Sequence, residues 1–186
     1  MPSGRFVLRI DPELHGGLQR QAKSTGMSLN ELCARVLAAG SGEVAGINRK
    51  LRPALDRAAA LLGDDLVAAA VYGSAARGEL TPGSDVDLLL VVEPTRRLGR
   101  GIYRDWDRQP IDCDGHPVEP HFAPLPEDGE FSGLWGELAL EAWILFDPEL
   151  RLHRRLVAIR QELAAGRLER RLVHGQPYWT RRHEVA

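Results

Sequence analysis

Long apolar runs are missing from this chain. No stretch approaches the roughly 18 apolar residues that a membrane helix needs, so no membrane span is expected. The first residues lack a basic start followed by an apolar core, so no secretory leader is expected either. Cysteine is scarce. Cys33 and Cys113 stand far apart in different contexts, which excludes a disulfide framework and a metal knuckle; Cys33, on an apolar helical face, reads as a buried thiol. A strong charge of one sign is absent: 24 Lys and Arg against 26 Asp and Glu leave a net charge of −2. The whole chain is therefore no general polyanion binder. Internal repeats are absent. These absences leave a cytoplasmic protein with a packed core.

What is present is unevenly spread. From Arg151 to Ala186 there are nine arginines and three glutamates, whereas acids outnumber bases from Gly101 to Asp147. The basic run from Arg151 to Arg171 reads as a solvated helix face. Hydrophobic residues make up 44% of 186 residues, enough for one ordinary domain or two small ones. The glycine-rich stretch Gly40-Ser41-Gly42-Glu43-Val44-Ala45-Gly46 has linker composition. It divides the chain into residues 1–40, a linker at 41–46, and a larger unit at 47–186.

In the first unit, Arg5 to Ile10 alternates. Phe6, Leu8 and Ile10 lie on one side and Arg5, Val7 and Arg9 on the other, as in a half-buried strand. Asp11-Pro12 opens a helix with Asp11 as N-cap, and Gly26 stops it. Ser28, with Glu31 three residues on, is a capping box before the stripe Leu29, Leu32, Cys33, Val36, Leu37.

In the second unit, Ile47 to Leu62 reads as a helix that Pro53 kinks or delays. Leu66–Tyr72 and Val86–Val92 are apolar strands, and Ser74 to Glu79 is a short helix. Pro117 to Ala123 is a third strand, which its prolines assign to an edge. Leu134 to Glu141 and Pro148 to Ala164 are helical, and Gln176 to Trp179 forms a tail whose aromatics pack on the domain surface. Strands alternating with helices predict an α/β (α+β) fold, a mixed sheet flanked by helices.

Two motifs carry chemistry. In Val71-Tyr72-Gly73-Ser74-Ala75-Ala76-Arg77-Gly78 a strand runs into a helix start, where backbone N–H groups favour an anion. Ser74 can cap that helix or donate to a phosphate, and Arg77 lies one turn on. By itself this is also an ordinary strand–turn–helix. In Ser84-Asp85-Val86-Asp87 the aspartates occupy alternate positions of a strand and share one face. Unpaired carboxylates that close repel each other, and a divalent cation resolves the conflict; a fraying strand end with wet carboxylates is the other reading.

Together, Gly73-Ser74 followed by Asp85-Val86-Asp87 resembles the nucleotidyltransferase superfamily that includes DNA polymerase beta. The Gly-Ser-x-Ala-Arg-Gly form resembles its minimal branch, called MNT. The resemblance spans about Leu66 to Phe146. It implies that Asp85 and Asp87 hold Mg²⁺ or Mn²⁺, that Gly73, Ser74 and Arg77 meet the phosphates of ATP or another nucleoside triphosphate, and that a nucleotidyl group, AMP, passes to an acceptor hydroxyl. Members of the family carry a third carboxylate on a later strand. Glu119 in Pro117-Val118-Glu119-Pro120-His121 is the candidate for this catalytic and metal-binding role; Asp112 and Asp114 compete but read as a turn, and His121 reads as a surface histidine.

The strand–helix–helix order resembles the ribbon-helix-helix repressors, with Arg5 to Pro12 and Gly26 to Glu31 similar to Arc and to the DNA-binding part of HicB antitoxins. That resemblance implies a homodimer through the N-terminal strand. Arg5, Val7 and Arg9 would face the DNA, and Ser28, Leu29 and Asn30 would anchor a phosphate. Physical size points the same way, because about forty residues bury too little apolar surface alone. The alternative is a helical hairpin packed on the larger domain. MNT proteins often act as antitoxins beside a HEPN-type toxin, so the combined expectation is an antitoxin that also binds its own promoter region. Two rivals remain: a transcriptional regulator whose nucleotidyltransferase fold is inactive, and an enzyme that modifies a small molecule such as an aminoglycoside.

Overall fold

The computed structural model of the chain describes residues 7–39, 43–173 and 176–181. Arg5, Phe6 and Gly40 lie outside the described residues. A five-stranded mixed sheet organises the larger unit. Its order is β3 (Asp112–Cys113), β4 (His116–Pro124), β2 (Val86–Val92), β1 (Leu66–Tyr72), β5 (Trp143–Phe146). Strands β1 and β2 are antiparallel, β2 and β4 parallel, and β5 pairs antiparallel with β1. The bounds of β1 and β2 match the apolar runs, because both strands are covered on both faces and alternation is lost.

Strand β4 is second from the edge, inside the position its prolines predicted. The reason lies in which side each N–H faces. Val118 donates outward to the Ile111 carbonyl at 2.9 Å, so Pro120, two residues on, faces the same outer side. There β3 pairs only with His116 and Pro117, so the N–H that Pro120 lacks is owed to no strand. Asp114 and Gly115, at φ 55° and 87°, form the two-residue turn joining β3 to β4, the chemistry an Asp-Gly hairpin requires. Asp112 accepts the Gly115 N–H at 2.7 Å and Asp114 pairs with Lys50, so both serve this hairpin.

Helices cover both faces. On one lie α4 (Arg52–Leu62) and α6 (Arg100–Asp107), whose Ala54, Ala58 and Trp106 pack on Val71, Leu88 and Leu90. On the other lie α7 (Gly133–Glu141) and α8 (Arg151–Ala164), whose Leu138, Leu156 and Leu163 pack on Ala68, Ala70 and Leu89. Helix α3 (Glu43–Lys50) precedes α4, and the two break at Leu51, with Pro53 in the first turn of α4.

The N-terminal helices form as predicted. In α1 (Pro12–Thr25) the Asp11 carboxylate accepts the Leu14 N–H at 2.8 Å, and Gly26 closes the helix at φ 69°. In α2 (Leu29–Ala39) the Ser28 hydroxyl accepts the Glu31 N–H at 3.1 Å. The strand expected over Arg5–Ile10 differs: residues 7–10 are irregular. A strand requires a ladder partner, and among the described residues none pairs with this segment. Val7 and Leu8 are left 90% and 63% exposed.

The hairpin of α1 and α2 is docked on the larger unit. Arg20 Nε donates to the Ala164 carbonyl at 2.8 Å, and Ser24 donates to the Leu163 carbonyl at 3.3 Å. Ala22 and Leu32 share one buried cluster with Val67, Trp135 and Leu163. Helix α3 also begins at Glu43, inside the stretch whose glycines suggested a linker. Cys33 is only half-buried, whereas Cys113 is buried.

The C-terminal segment also departs from expectation. Helix α8 ends at Ala164 as expected, but beyond it Leu168–Val173 (β6) and Gln176–Arg181 (β7) form a hairpin in place of a continued basic run and a tail. Trp179 holds it down. Its indole lies against Gly136, where a Cβ would come within 2.5 Å of the ring, and it donates to Glu137 at 2.9 Å. The arginines of this region are largely paired: Arg170 binds Glu137 and Arg155 is buried against the Glu130 carbonyl. Among the described residues no helix is long and apolar enough to cross a membrane.

Candidate active site

The two sequence motifs meet at one end of the central strands. Register places Tyr72 of β1 opposite Asp87 of β2, and Asp87 opposite Glu119 of β4. Directly paired residues project to the same face. Tyr72, Asp87 and Glu119 therefore form a row across three strands, although Glu119 lies 32 positions beyond Asp87 in the sequence. Asp85 is exposed just before β2. Its approach is fixed by backbone: His116 Nδ1 donates to the Ser84 carbonyl at 2.8 Å, and the Ser84 hydroxyl accepts the Thr81 N–H at 3.0 Å.

Gly73 has the positive φ, 68°, that turns β1 into α5 (Gly73–Arg77). A Cβ there would collide with the Asp87 carboxylate, so the missing side chain is the seat of Asp87. Helix α5 is a single turn, so it offers local N–H groups in place of a long summed dipole. Tyr72 is its N-cap residue and its side chain makes no capping bond; the first N–H, of Gly73, is instead taken by the Glu141 carboxylate, and Ser74 does not take the capping role open to it. Arg77 lies between two carboxylates. Its Nε is engaged by Glu79 at 2.6 Å and its Nη1 by Glu141 at 2.8 and 3.0 Å.

The electrostatics follow from crowded carboxylates. Burial, then Asp85 and Glu141, raise the Asp87 pKa above its ordinary value; Glu119 adds to this and Arg77 opposes it. The Tyr72 hydroxyl is pushed up to about 12, first by burial and then by Asp87 and Asp85. Burial lowers His121, which meets Tyr72 edge-on at 6.4 Å between ring centroids. His121 lies two residues past Glu119 on the same face and so belongs to this surface.

The carboxylate donors suit a hard divalent cation, and the room left at Gly73 suits the Asp87 carboxylate. Among the described residues no group of three His, Cys, Asp or Glu side chains is placed to hold a metal ion, so the structure does not gather Asp85, Asp87 and Glu119 into one three-carboxylate cation site, and phosphate or water oxygens have to complete any shell. A cleft of about 260 Å³ opens elsewhere, with Glu31 and Ala34 of α2 facing Arg77, Glu79, Glu141 and Trp143. Neither Asp85 nor Asp87 lines it.

The model of the family described as "Nucleotidyltransferase domain" matches residues 50–164, more than half of the chain. The chain belongs to this family. Its nucleotidyltransferase domain thus contains both motifs, Glu119 and the sheet that aligns them. The HicB family model matches residues 2–37, the docked N-terminal unit. No curated protein matches the chain. Among solved structures, one titled "Crystal structure of the toxin-antitoxin with AMP-PNP" is similar at 15% identity over 60% of this chain and 90% of that one, with a TM-score of 0.37.

Sequence reasoning missed three residues of the site. Tyr72 and His116 act through register and a backbone carbonyl, which leave no sequence signature. Glu141 left one: an acid stands at the C-terminal end of the largely apolar helix Gly133–Glu141, where the helix dipole disfavours it. Such a residue implies a cationic partner.

Proposed function

We propose that this nucleotidyltransferase domain transfers AMP from ATP to an acceptor hydroxyl with a divalent metal, Mg²⁺ or Mn²⁺. We further propose that the chain acts as an MNT-type antitoxin of a HEPN-type toxin and regulates its own promoter. The observation that carries the enzymatic reading is the alignment of Asp87 with Glu119 beside Asp85, over a glycine whose missing Cβ makes the room. In the reaction the acceptor oxygen attacks the α-phosphorus, the bond to the bridging oxygen breaks, and pyrophosphate leaves. Asp85 and Asp87 would hold the cation, which when bound neutralises charge developing on the phosphates. The Gly73–Ser74 turn would meet the β and γ phosphates. Glu119 stands at the outer end of the row, exposed, where it can accept the acceptor's proton. This reading favours an active enzyme over an inactive regulator because Glu119 shares the face of Asp87.

The regulatory half rests on the HicB match and on uncovered apolar side chains. Leu8, Leu14, Val36 and Leu37 are exposed in the single chain, from 44% at Val36 to 63% at Leu8. A second copy that pairs its N-terminal strand would cover them, turning Arg5, Val7 and Arg9 toward DNA and leaving Ser28, Leu29 and Asn30 at a helix start for phosphate.

The test is transfer of label. ATP labelled at the α-phosphate, incubated with metal and a helical toxin encoded beside this chain, should give a labelled protein band. Asp87→Asn and Glu119→Gln should abolish it at unchanged foldedness. Labelling that survives Asp87→Asn would remove the metal role, and labelling indifferent to Glu119→Gln would remove Glu119 from the chemistry.

A further inference from the structure

We infer that Glu141 is a positioning residue of this site. Its buried carboxylate pins both ends of the Gly73–Arg77 turn and so sets the affinity for the triphosphate part of the nucleotide. The inference rests on the functional reading above, in which that turn meets the β and γ phosphates.

The geometry is specific. The Glu141 side chain is 5% exposed, and one oxygen, Oε1, accepts the Gly73 N–H at 2.9 Å. The same carboxylate accepts both bonds from Arg77 Nη1, at 3.0 and 2.8 Å. Gly73 begins the turn and Arg77 ends it, so one carboxylate grips both ends. The turn is too short to hold itself, since a single helical turn fixes several dihedrals for one hydrogen bond. Its place relative to the sheet is instead set by α7, which carries Glu141. On its other side Gly73 gives room to the Asp87 carboxylate. The glycine is thus held between two carboxylates, one anchored behind it and one working in front. Releasing the anchor lets the turn shift against Asp87.

The placement of Glu141 argues against a casual contact. An acid at a helix C-terminus faces the negative end of the dipole, and a buried one also loses its water. Both costs are met by the Arg77 cation, whose own Nε is held by Glu79 at 2.6 Å. Arg77 therefore serves as a structural cation of the turn, in place of the phosphate contact its motif suggested.

Two variants separate positioning from mere bracing. Glu141→Gln keeps the shape and an oxygen for Gly73 but forfeits the ion pair. Glu141→Leu combined with Arg77→Met removes both charges, so no unpaired buried cation remains to unfold the protein. Calorimetric titrations of the full chain with ATP and with AMP, each with Mg²⁺, read the effect. AMP lacks the β and γ phosphates and so serves as the internal control. In the double variant ATP affinity should fall by about tenfold or more, the scale of a lost charge-assisted hydrogen bond, with AMP affinity essentially unchanged. Glu141→Gln should show the same selectivity with a smaller loss. Equal weakening of ATP and AMP, or no change in either, overturns the inference while wild-type binding upholds the functional reading. Should the double variant fail to fold, the ATP-to-AMP ratio in Glu141→Gln decides. A wild-type protein that binds no ATP with metal overturns the functional reading and this inference with it.

Discussion

Replacing Gly73 by alanine isolates the role of a missing methyl group. Gly73 and Gly78 bracket the same short helix and have nearly equal backbone angles, φ 68° and 69°. An L-residue in that region costs about 1–2 kcal/mol, so both alanine variants should lose about that much stability. For a domain of this size that is a fall of roughly 2–8 °C in Tm. Their surroundings differ. A Cβ at Gly78 meets nothing within 4 Å, whereas one at Gly73 collides with the Asp87 carboxylate. Asp87 is half-buried in β2 between Tyr72 and Glu119, so it can escape only by turning out of the row. A working carboxylate has to sit within roughly 0.5 Å of its productive position. Gly73→Ala should therefore lose metal-dependent ATP binding in calorimetry, and Gly78→Ala should keep it. Thermal melts of both variants supply the stability comparison. Equal ATP affinity in the two would refute the assignment of Gly73 as the seat of Asp87.

Leu32→Ala, in the docked N-terminal hairpin, empties a position with 0% exposure and should cost about 2–5 kcal/mol. Calorimetry should show one unfolding transition at lower temperature; two separate transitions would mean that the hairpin melts as its own domain. The hydrogen bond from Arg151 holds the Glu93 carboxyl below its ordinary range. Its stabilisation is present at neutral pH and lost as pH falls through that depressed range. Glu93→Gln should accordingly cost no more than about 1 kcal/mol at neutral pH, since the pair is partly exposed. Urea melts should show the deficit vanishing in acid, and a deficit independent of pH would contradict the pair. Arg9→Ala should weaken promoter binding about tenfold in gel shifts, the scale of one arginine–guanine contact. Light scattering should still report a dimer, because Arg9 projects away from the apolar side; a monomer would contradict the strand-pairing scheme.

Residue pattern alone determined much of this protein. The apolar runs of β1 and β2, the caps at Asp11 and Ser28, and the two short motifs are local features, governed by neighbours a few residues away. Motif order was enough to indicate the nucleotidyltransferase family that the profile match then established. Glycine content reports chain stiffness and says nothing of what a helix will pack against, and α3 starts within the stretch of linker composition. The C-terminal hairpin was misread because Arg167 to Trp179 lacks clean alternation, and it forms by closing Trp179 onto Gly136. Other features belong to the tertiary structure only. Residues 7–10, for which alternation predicted a strand, are irregular, since a strand requires a partner ladder. The pairing of Asp87 with Glu119 depends on parallel register between strands separated by a helix and a hairpin. The capture of Gly73 and Arg77 by Glu141 joins groups 64 and more positions apart. Distances of that kind are set when the sheet and its helices exclude water together, which no local pattern encodes.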